Sequence, residues 1–424
     1  MTDLSRRKLL QAMCAGGAAL SPLLGRVHAA EGQRVMGTGK GLHPGRVVWG
    51  YNPATTPWDG EDGQWWEPRN LDEQEVKKTL HRSLARLTGE DSREAAWGAL
   101  FRHFNSASGR RQGGYKRGEK IAIKVNLNTS NEYKWDNRLD VSPQLLHAVL
   151  ADLVEAAGVP ESAVTVYDGS RIVGRPVWDR CHGDYPGVTF ADMNGGQGRK
   201  KAEGDRRAAL HFADPQVEDS GATYLPRCVV EADYMINMAL LKGHTLAGVT
   251  LNAKNHFGSV WREGEDHRRG WAPQHMHPFI LVHGDEARPM GTYNPLVEIM
   301  GHPHLGGKTM LYLVEGFYAA QHQSLGPVRW KTQPFDGDWT SSLLVSQDPV
   351  AIESVAVDMC VAEPNMQEYV RGHVDNYLHE AARAGDAPSG VSYRPDGDNA
   401  LTGSLGVHEH WNSVEKKQYG RNLG

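Results

Sequence analysis

Cysteine is scarce in this 424-residue chain, with four residues in all and no CxxC pair among them. That spacing excludes a CxxC zinc site, an iron–sulfur ligand run and a dense disulfide framework. Cys181, Cys228 and Cys360 allow one disulfide in an oxidising compartment, or serve as three small buried hydrophobes, and the sequence does not choose between these. Long apolar runs are missing too. Nothing after the first thirty residues approaches the ~20 apolar residues that a membrane span needs, so no stable membrane anchor is expected. Positive charge is in deficit, with 46 Lys and Arg against 51 Asp and Glu. This argues against general nucleic-acid binding. No G-x-S-x-G elbow, Walker P-loop or G-x-G-x-x-G behind a strand occurs, so serine hydrolase, phosphate-loop NTPase and dinucleotide dehydrogenase readings have no support.

What is present begins with Ser5-Arg6-Arg7-Lys8-Leu9-Leu10, an apolar stretch from Met13 to Leu24 diluted by Gly16 and Gly17, and Val27-His28-Ala29-Ala30. A basic head, a short apolar middle and a small-residue cleavage site make residues 1–29 a secretory signal. The paired arginines point to the twin-arginine translocase as the export partner, hence to a periplasmic product delivered already folded. Cleavage would leave 42 basic and 50 acidic residues, a net charge of about −8.

Residues 30–117 are expected to form an N-terminal wrap followed by helices. The part from 31 to 70 is rich in Gly, Pro and Trp without strand or helix periodicity, and helices are expected over 72–87 and 92–104. From 118 to 412 the pattern alternates, and a short tail over 413–424 follows. A strand over 120–128 precedes a helix with Ser142 as N-cap and Pro143 at its first position, which stops at Gly158. The strand Ala163 to Tyr167 comes next, then strands over 187–190, 234–241, 309–315 and 342–345, and an apolar helix over 350–361 behind Asp348-Pro349. The βαβ order predicts an α/β fold, a mostly parallel sheet with flanking helices. Asn194 to Gly204, with Arg199, Lys200 and Lys201, reads as a surface loop of solvated charge.

Four groups of residues carry chemistry. Lys124, Asn126 and Asn128 recur at strand spacing and share one face, so they meet a ligand or, on an edge strand, water. Asp168 ends the next strand beside them. The run Leu241-Lys242-Gly243-His244 to Lys254-Asn255-His256-Phe257-Gly258 supplies Lys242, His244, Lys254, Asn255 and His256 within fifteen residues. There a histidine can serve as acid or base, and a lysine as nucleophile or as anchor for substrate charge. His256, His267, His275, His277, His283, His302 and His304 follow, with Asp266, Asp285 and Glu286 nearby. On an extended segment the pairs His275/His277 and His302/His304 would each turn two imidazoles the same way, and His256, His275 and His277 are the candidate ligands of a divalent transition metal. Last comes His408-Glu409-His410-Trp411, in which Glu409 could orient a histidine, or which could simply dock the C-terminal segment through Trp411.

The stretch Leu241 to Gly258, the Lys124-Val125-Asn126-Leu127-Asn128 strand, the run Gln347-Asp348-Pro349-Val350-Ala351-Ile352-Glu353-Ser354 and the tail Gly406 to Asn412 resemble the DUF362 family, over roughly residues 118–412. Some members carry ferredoxin-like iron–sulfur segments. This chain has no cysteine run for one, so no cluster is expected. Around His244-Thr245-Leu246-Ala247-Gly248 and Lys254 the chain is also similar to the lactate racemase family. That likeness implies His244 as acid/base and Lys254 as anchor of a nickel pincer nucleotide. The Pro-Gly that follows the lysine in that family is replaced here by Asn255-His256-Phe257-Gly258.

The expectation is therefore an enzyme acting on a small anionic ligand, with His244 and Lys254 catalytic and Lys124, Asn126, Asp168, Lys242 and Asn255 binding substrate or cofactor. The alternatives are a non-catalytic metal- or carboxylate-binding protein and a maturation factor for an exported redox enzyme.

Overall fold

The computed structural model describes residues 35–128, 137–219, 221–262 and 274–420, which belong to one compact unit. The signal-like residues 1–29, Asp266 and His267 lie outside the described residues.

In chain order the strands are β1 (Met36–Gly37), β2 (Val47–Tyr51), β3 (Ile121–Val125), β4 (Val164–Asp168), β5 (Thr189–Asp192), β6 (Lys200–Lys201) and β7 (Gly204–Ala209). They continue as β8 (Thr223–Pro226), β9 (Tyr234–His244), β10 (Gly248–Thr250), β11 (Trp261–Arg262), β12 (Thr309–Ala320), β13 (Ser342–Ser346) and β14 (Val407–His408). The central sheet has the order β2-β13-β12-β9-β3-β4-β5-β6, with β10 folded back on β9. From β12 to β6 every neighbour pair is parallel, while β13 and β2 add antiparallel strands at one edge. The mostly parallel α/β fold thus stands.

Side chains alternate across this sheet into two cores. Ile121, Ile123 and Val125 of β3 and Ile236, Met238 and Leu240 of β9 join the helices Glu73–Thr88, Arg93–Ala107, Pro143–Ala151 and Arg175–Asp184 on one side. Ala122 of β3 and Met235 and Ala239 of β9 join the helices Leu296–Gly301, Pro349–Ala362 and Asn376–Ala382 on the other. The Pro349–Ala362 helix is buried from Pro349 through Cys360, which is why its sequence is apolar all round. Its N-cap Asp348 accepts from Val350 N and Ala351 N, and also from Lys40 N and Val407 N, so one carboxylate fixes the helix start, the N-terminal segment and the tail. No helix among the described residues is long and apolar enough to cross a membrane.

Two expectations fail here. The wrap over 31–70 contains β2, which pairs with β13. Gly50 interrupts its alternation because a Cβ there would lie 2.5 Å from Ser83 Oγ on the Glu73–Thr88 helix. Nor is the 194–204 stretch all solvated charge. Arg199 is buried, with Nε 3.0 Å from Asp192 Oδ2 and a guanidinium NH donating to Val173 O, while Lys200 and Lys201 form β6. Cys181, Cys228 and Cys360 are free thiols.

Several carboxyls are buried without a cation. Glu298 accepts from Ala213 N and Tyr293 OH, and burial pushes its pKa up to about 8. Burial likewise pushes Glu315 and Glu353 up to about 7. A raised carboxyl contributes stability that is whole below the unfolded value of ~4.3 and is lost as pH rises through the folded value. The share of stability these carboxyls supply should therefore fall between about pH 5 and about pH 8, most plainly above pH 6.5 where buried neutral histidines no longer offset it, and Glu298→Gln, which mimics the protonated acid, should flatten that fall. Thermal unfolding of both proteins across this range checks it: an equally steep fall in the variant removes Glu298 from the account.

Candidate active site

The polar residues of the strand ends meet in one buried network. Lys124 does not face water from an edge; β3 is central, and its ammonium is fully buried. It donates to Val125 O at 2.6 Å, Asn255 Oδ1 at 2.9 Å and Asp168 Oδ2 at 3.1 Å. Burial lowers its pKa, and the Asp168 carboxylate opposes that. The second oxygen of Asp168 accepts from Ser170 N and Oγ.

Asn255 is the hub. It ends the one-turn helix Asn252–Asn255, which starts straight after β10. Its Oδ1 accepts from Lys124 Nζ and from Asn126 Nδ2, and its Nδ2 donates to Asn237 Oδ1 and Met238 O. One carboxamide with every donor and acceptor satisfied thus stitches the turn to β3 and β9. Lys242 lies in the same layer, donating to Asn126 Oδ1 at 3.0 Å and Asn128 Oδ1 at 2.9 Å. Burial, partly opposed by Asp140, pushes it down to about 7.

The Lys254-Asn255-His256-Phe257-Gly258 run is accounted for residue by residue. His256 Nε2 accepts from Asn237 Nδ2, so its Nδ1–H donates to Ser259 Oγ, which also bonds Tyr167 OH. With both nitrogens engaged in protein bonds, His256 is held as a neutral ring, and burial keeps its pKa at about 3. Gly258 O accepts from Gly169 N–H, and a Cβ on Gly258 would sit 2.2 Å from Asp168 Oδ1 and 2.9 Å from Lys124 Cε. Only glycine lets the chain come this close.

Lys254 differs from the other two lysines. Its ammonium nitrogen is 3.7 Å from the centre of the Phe257 ring, and the side chain is buried. Burial lowers its pKa strongly, and Lys242 and Arg171 lower it further. His277 packs edge-on to the same Phe257 ring, and the His244 and His277 rings stack with centroids 6.0 Å apart. His244 closes β9, and the β9–β10 turn folds back so that Leu246 N and Ala247 N both donate to its Nδ1, at 3.1 and 3.2 Å. The proton of the neutral ring is therefore on Nε2. Burial lowers the pKa of this imidazole and favours its uncharged form.

The His275/His277 pair does not behave as an extended segment, whereas the His302 and His304 rings do lie on one side, stacked with centroids 5.7 Å apart. His275 and His277 lie in the 3₁₀ run Gln274–Phe279, where residues two apart are two-thirds of a turn apart. His275 turns to Arg262, 3.0 Å away, and His277 to Phe257 and His244. His302 donates from Nε2 to Ala209 O and accepts His304 N at Nδ1. The proposed ligands His256, His275 and His277 are thus engaged with different partners, and only His277 joins the Lys254 cluster.

The arrangement sets Lys124, Lys242, Lys254 and Arg171 within mutual electrostatic reach, against Asp168 and Asp140. Basic groups thus outnumber acidic ones in this buried cluster. The scan against family models matches residues 121–358 to a domain of unknown function, DUF362, more than half of the chain. The chain belongs to the DUF362 family. Among curated proteins none matches it significantly. Within this DUF362 domain, Asn237, Ser259, Arg171 and Phe257 were not singled out from the sequence. Asn237 had a signal, as the only amide in the apolar run Met235 to Leu241. Arg171 and Ser259 had none.

Removing one member of the buried Lys124–Asp168 pair leaves the other uncompensated, at a cost of about 3–5 kcal/mol. Asp168→Asn should destabilise by this amount, and adding Lys124→Met should restore much of it. Urea unfolding of the wild type, both singles and the double variant tests this; strictly additive losses would show that the pair is not coupled.

Proposed function

We propose that this DUF362 protein is an enzyme acting on a small anionic substrate at the carboxyl ends of β3, β4 and β9, in which Lys254 takes a proton from the substrate and His244 donates a hydrogen bond to the atom where negative charge develops. The observation that carries this is the Lys254 amine, buried on an aromatic ring with basic rather than acidic side chains as its electrostatic neighbours. Burial and these cations disfavour the charged form of the amine, and an uncharged amine is a base or nucleophile. His244 is its complement. With Nδ1 committed to two backbone N–H groups, the ring presents Nε2–H and donates a hydrogen bond. Lys254 is thus the base, and His244 stabilises the charge that the proton's removal creates. Lys242 and Arg171 hold the substrate's carboxylate or phosphate, and the Lys124–Asn255–Asp168 network holds the floor on which they stand. The lactate racemase likeness implies a different use of the same residues, in which the basic cradle would hold the anionic part of a nickel pincer nucleotide and Lys254 would be its anchor instead of a base. When bound, that group would supply hydride-transfer chemistry.

The competing reading is a binding protein that holds a carboxylate in this pocket without converting it. We further propose that the chain works in the periplasm, having reached it folded through the twin-arginine translocase; its Ser5-Arg6-Arg7-Lys8 start supports this.

The pH dependence of amine labelling tests the central claim. Lys254 should acylate with an apparent pKa well below the ~10.4 of an ordinary lysine, and small carboxylates or phosphates should protect it. Lys254→Ala and His244→Ala should each abolish conversion, typically by 10²–10⁴-fold, while Lys242→Met mainly weakens binding. Labelling of Lys254 with an ordinary lysine profile would end the proposal. Protection without any conversion across a library of small anions would favour the binding protein.

A further inference from the structure

The structure assigns a second site, independent of the lysine pocket: a divalent transition-metal centre formed by Asp375, His379, His408 and His410. Their ligand atoms, one per side chain, lie within 4.8 Å of one another, the one such group among the described residues. Asp375 Oδ2 is 3.2 Å from His379 Nε2, 3.1 Å from His410 Nε2 and 4.0 Å from His408 Nε2. A tetrahedral ion with bonds of about 2.0–2.1 Å needs ligand separations of about 3.3 Å, so a closing movement of about an ångström brings all four into range.

Two features mark this as a prepared site rather than a chance cluster. The first is His408. Its side chain is fully buried, Nδ1 is 2.7 Å from Ser354 Oγ, and Ser354 itself donates to Val350 O. The serine oxygen must therefore accept from His408 Nδ1–H, which leaves a lone pair on Nε2. That nitrogen is buried, has no hydrogen-bond partner and faces the other three side chains. An unsatisfied buried acceptor of this kind needs a reason, and a metal ion is one.

The second is His410. Asp358 Oδ1 takes its Nδ1 at 2.5 Å, a carboxylate–histidine pair that aims Nε2 at the site. Trp411 N and Tyr419 OH both donate to the other Asp358 oxygen, so the orienting carboxylate is itself held. Between the two histidines, Glu409 accepts from Gly420 N.

Three elements make the site. Ser354 and Asp358 are four apart on the Pro349–Ala362 helix and present one face. His408 ends β14 and, being two residues from His410, shares its side on the extended backbone. Asp375 and His379 lie at the start and first turn of the Asn376–Ala382 helix. Three imidazoles and one carboxylate suit zinc first and cobalt or nickel next, and suit magnesium or calcium poorly. All four positions come from the protein, as in a closed structural centre, and the ion would pin the C-terminal segment to two helices.

The test uses the full 424-residue chain. After growth or dialysis with Zn²⁺, native mass spectrometry and elemental analysis should find one equivalent that survives gel filtration, and Co²⁺ should give the intense visible bands of a tetrahedral site. His408→Ala and His379→Ala should lose the ion. Asp358→Asn, which touches no metal, should weaken Zn²⁺ binding by about 10–100-fold in a chelator competition while the Co²⁺ bands shift, marking Asp358 as a positioning residue. If His408→Ala does not fold, Asp358→Asn and Ser354→Ala carry the test. The assignment is overturned if the chain retains no Zn²⁺, Co²⁺ or Ni²⁺ at micromolar concentration, if Asp358→Asn binds as tightly as the wild type, or if the equivalent is lost in His277→Ala and kept in His408→Ala.

Discussion

An ammonium in the middle of a β-sheet is the condition that the rest of this site answers to. Taking Lys124 out of water costs several kcal/mol even after relaxation, and the cost is met only if good oxygen partners arrive together. They come from three separate elements: Val125 O on its own strand, Asp168 from β4 and Asn255 from the turn after β10. Bringing Asn255 in requires the Gly258 backbone to pass against Asp168 and Lys124. That close approach in turn sets the path of Lys254 and Phe257. The lysine pocket is thus a consequence of satisfying a different lysine.

The same reasoning divides the polar residues into two kinds. Lys124, Asn126, Asp168, Asn237 and Asn255 donate to and accept from one another in the buried layer, as a frame would. Lys254, His244 and His277 pack ring on ring and amine on ring. Their polar ends are not consumed by the network that places them. Rigidity in the first group is what allows a shifted pKa in the second, because a mobile lysine would find water and return to its ordinary value.

Much of the fold could be read from the chain because its signals were local. Ser142 and Pro143 cap the Pro143–Ala151 helix, and β3, β4, β9, β12 and β13 lie where short apolar runs stand between turn residues. β2 escaped because Gly50 removes the alternation a strand normally shows. Arg199 was misread because its counter-ion, Asp192, is fixed by pairing β5 with β6, which no local pattern encodes. At the lysine pocket, residue type and density revealed Lys124, Asp168, His244, Lys254 and Asn255. The division of labour among them was hidden, since it depends on which oxygen each nitrogen meets. The histidine pair at 275 and 277 failed on backbone geometry: a 3₁₀ run turns the second ring away from the first. Asp375 and His379 were invisible for the opposite reason. Four apart on a short helix they are unremarkable, and only β14 brings His408 and His410 to them.

The Pro349–Ala362 helix shows how one element can serve both places. Its Ser354 and Asp358 hold the two tail histidines, while the neighbouring Glu353 points elsewhere, accepting Ala253 N at 2.6 Å. The second oxygen of Glu353 accepts from Tyr377 OH, and Tyr377 stands on the Asn376–Ala382 helix between Asp375 and His379. One buried carboxyl therefore joins the helix that carries two tail-site ligands to the turn that carries Lys254. Since Glu353 is fully buried, with its charge disfavoured, losing either partner would leave an unsatisfied polar group in the core. Ordering the C-terminal segment and fixing the lysine turn are then linked through shared satisfaction of one group rather than through direct contact. Residues 375–410 extend past the 121–358 family match and still complete the packing on which that part relies.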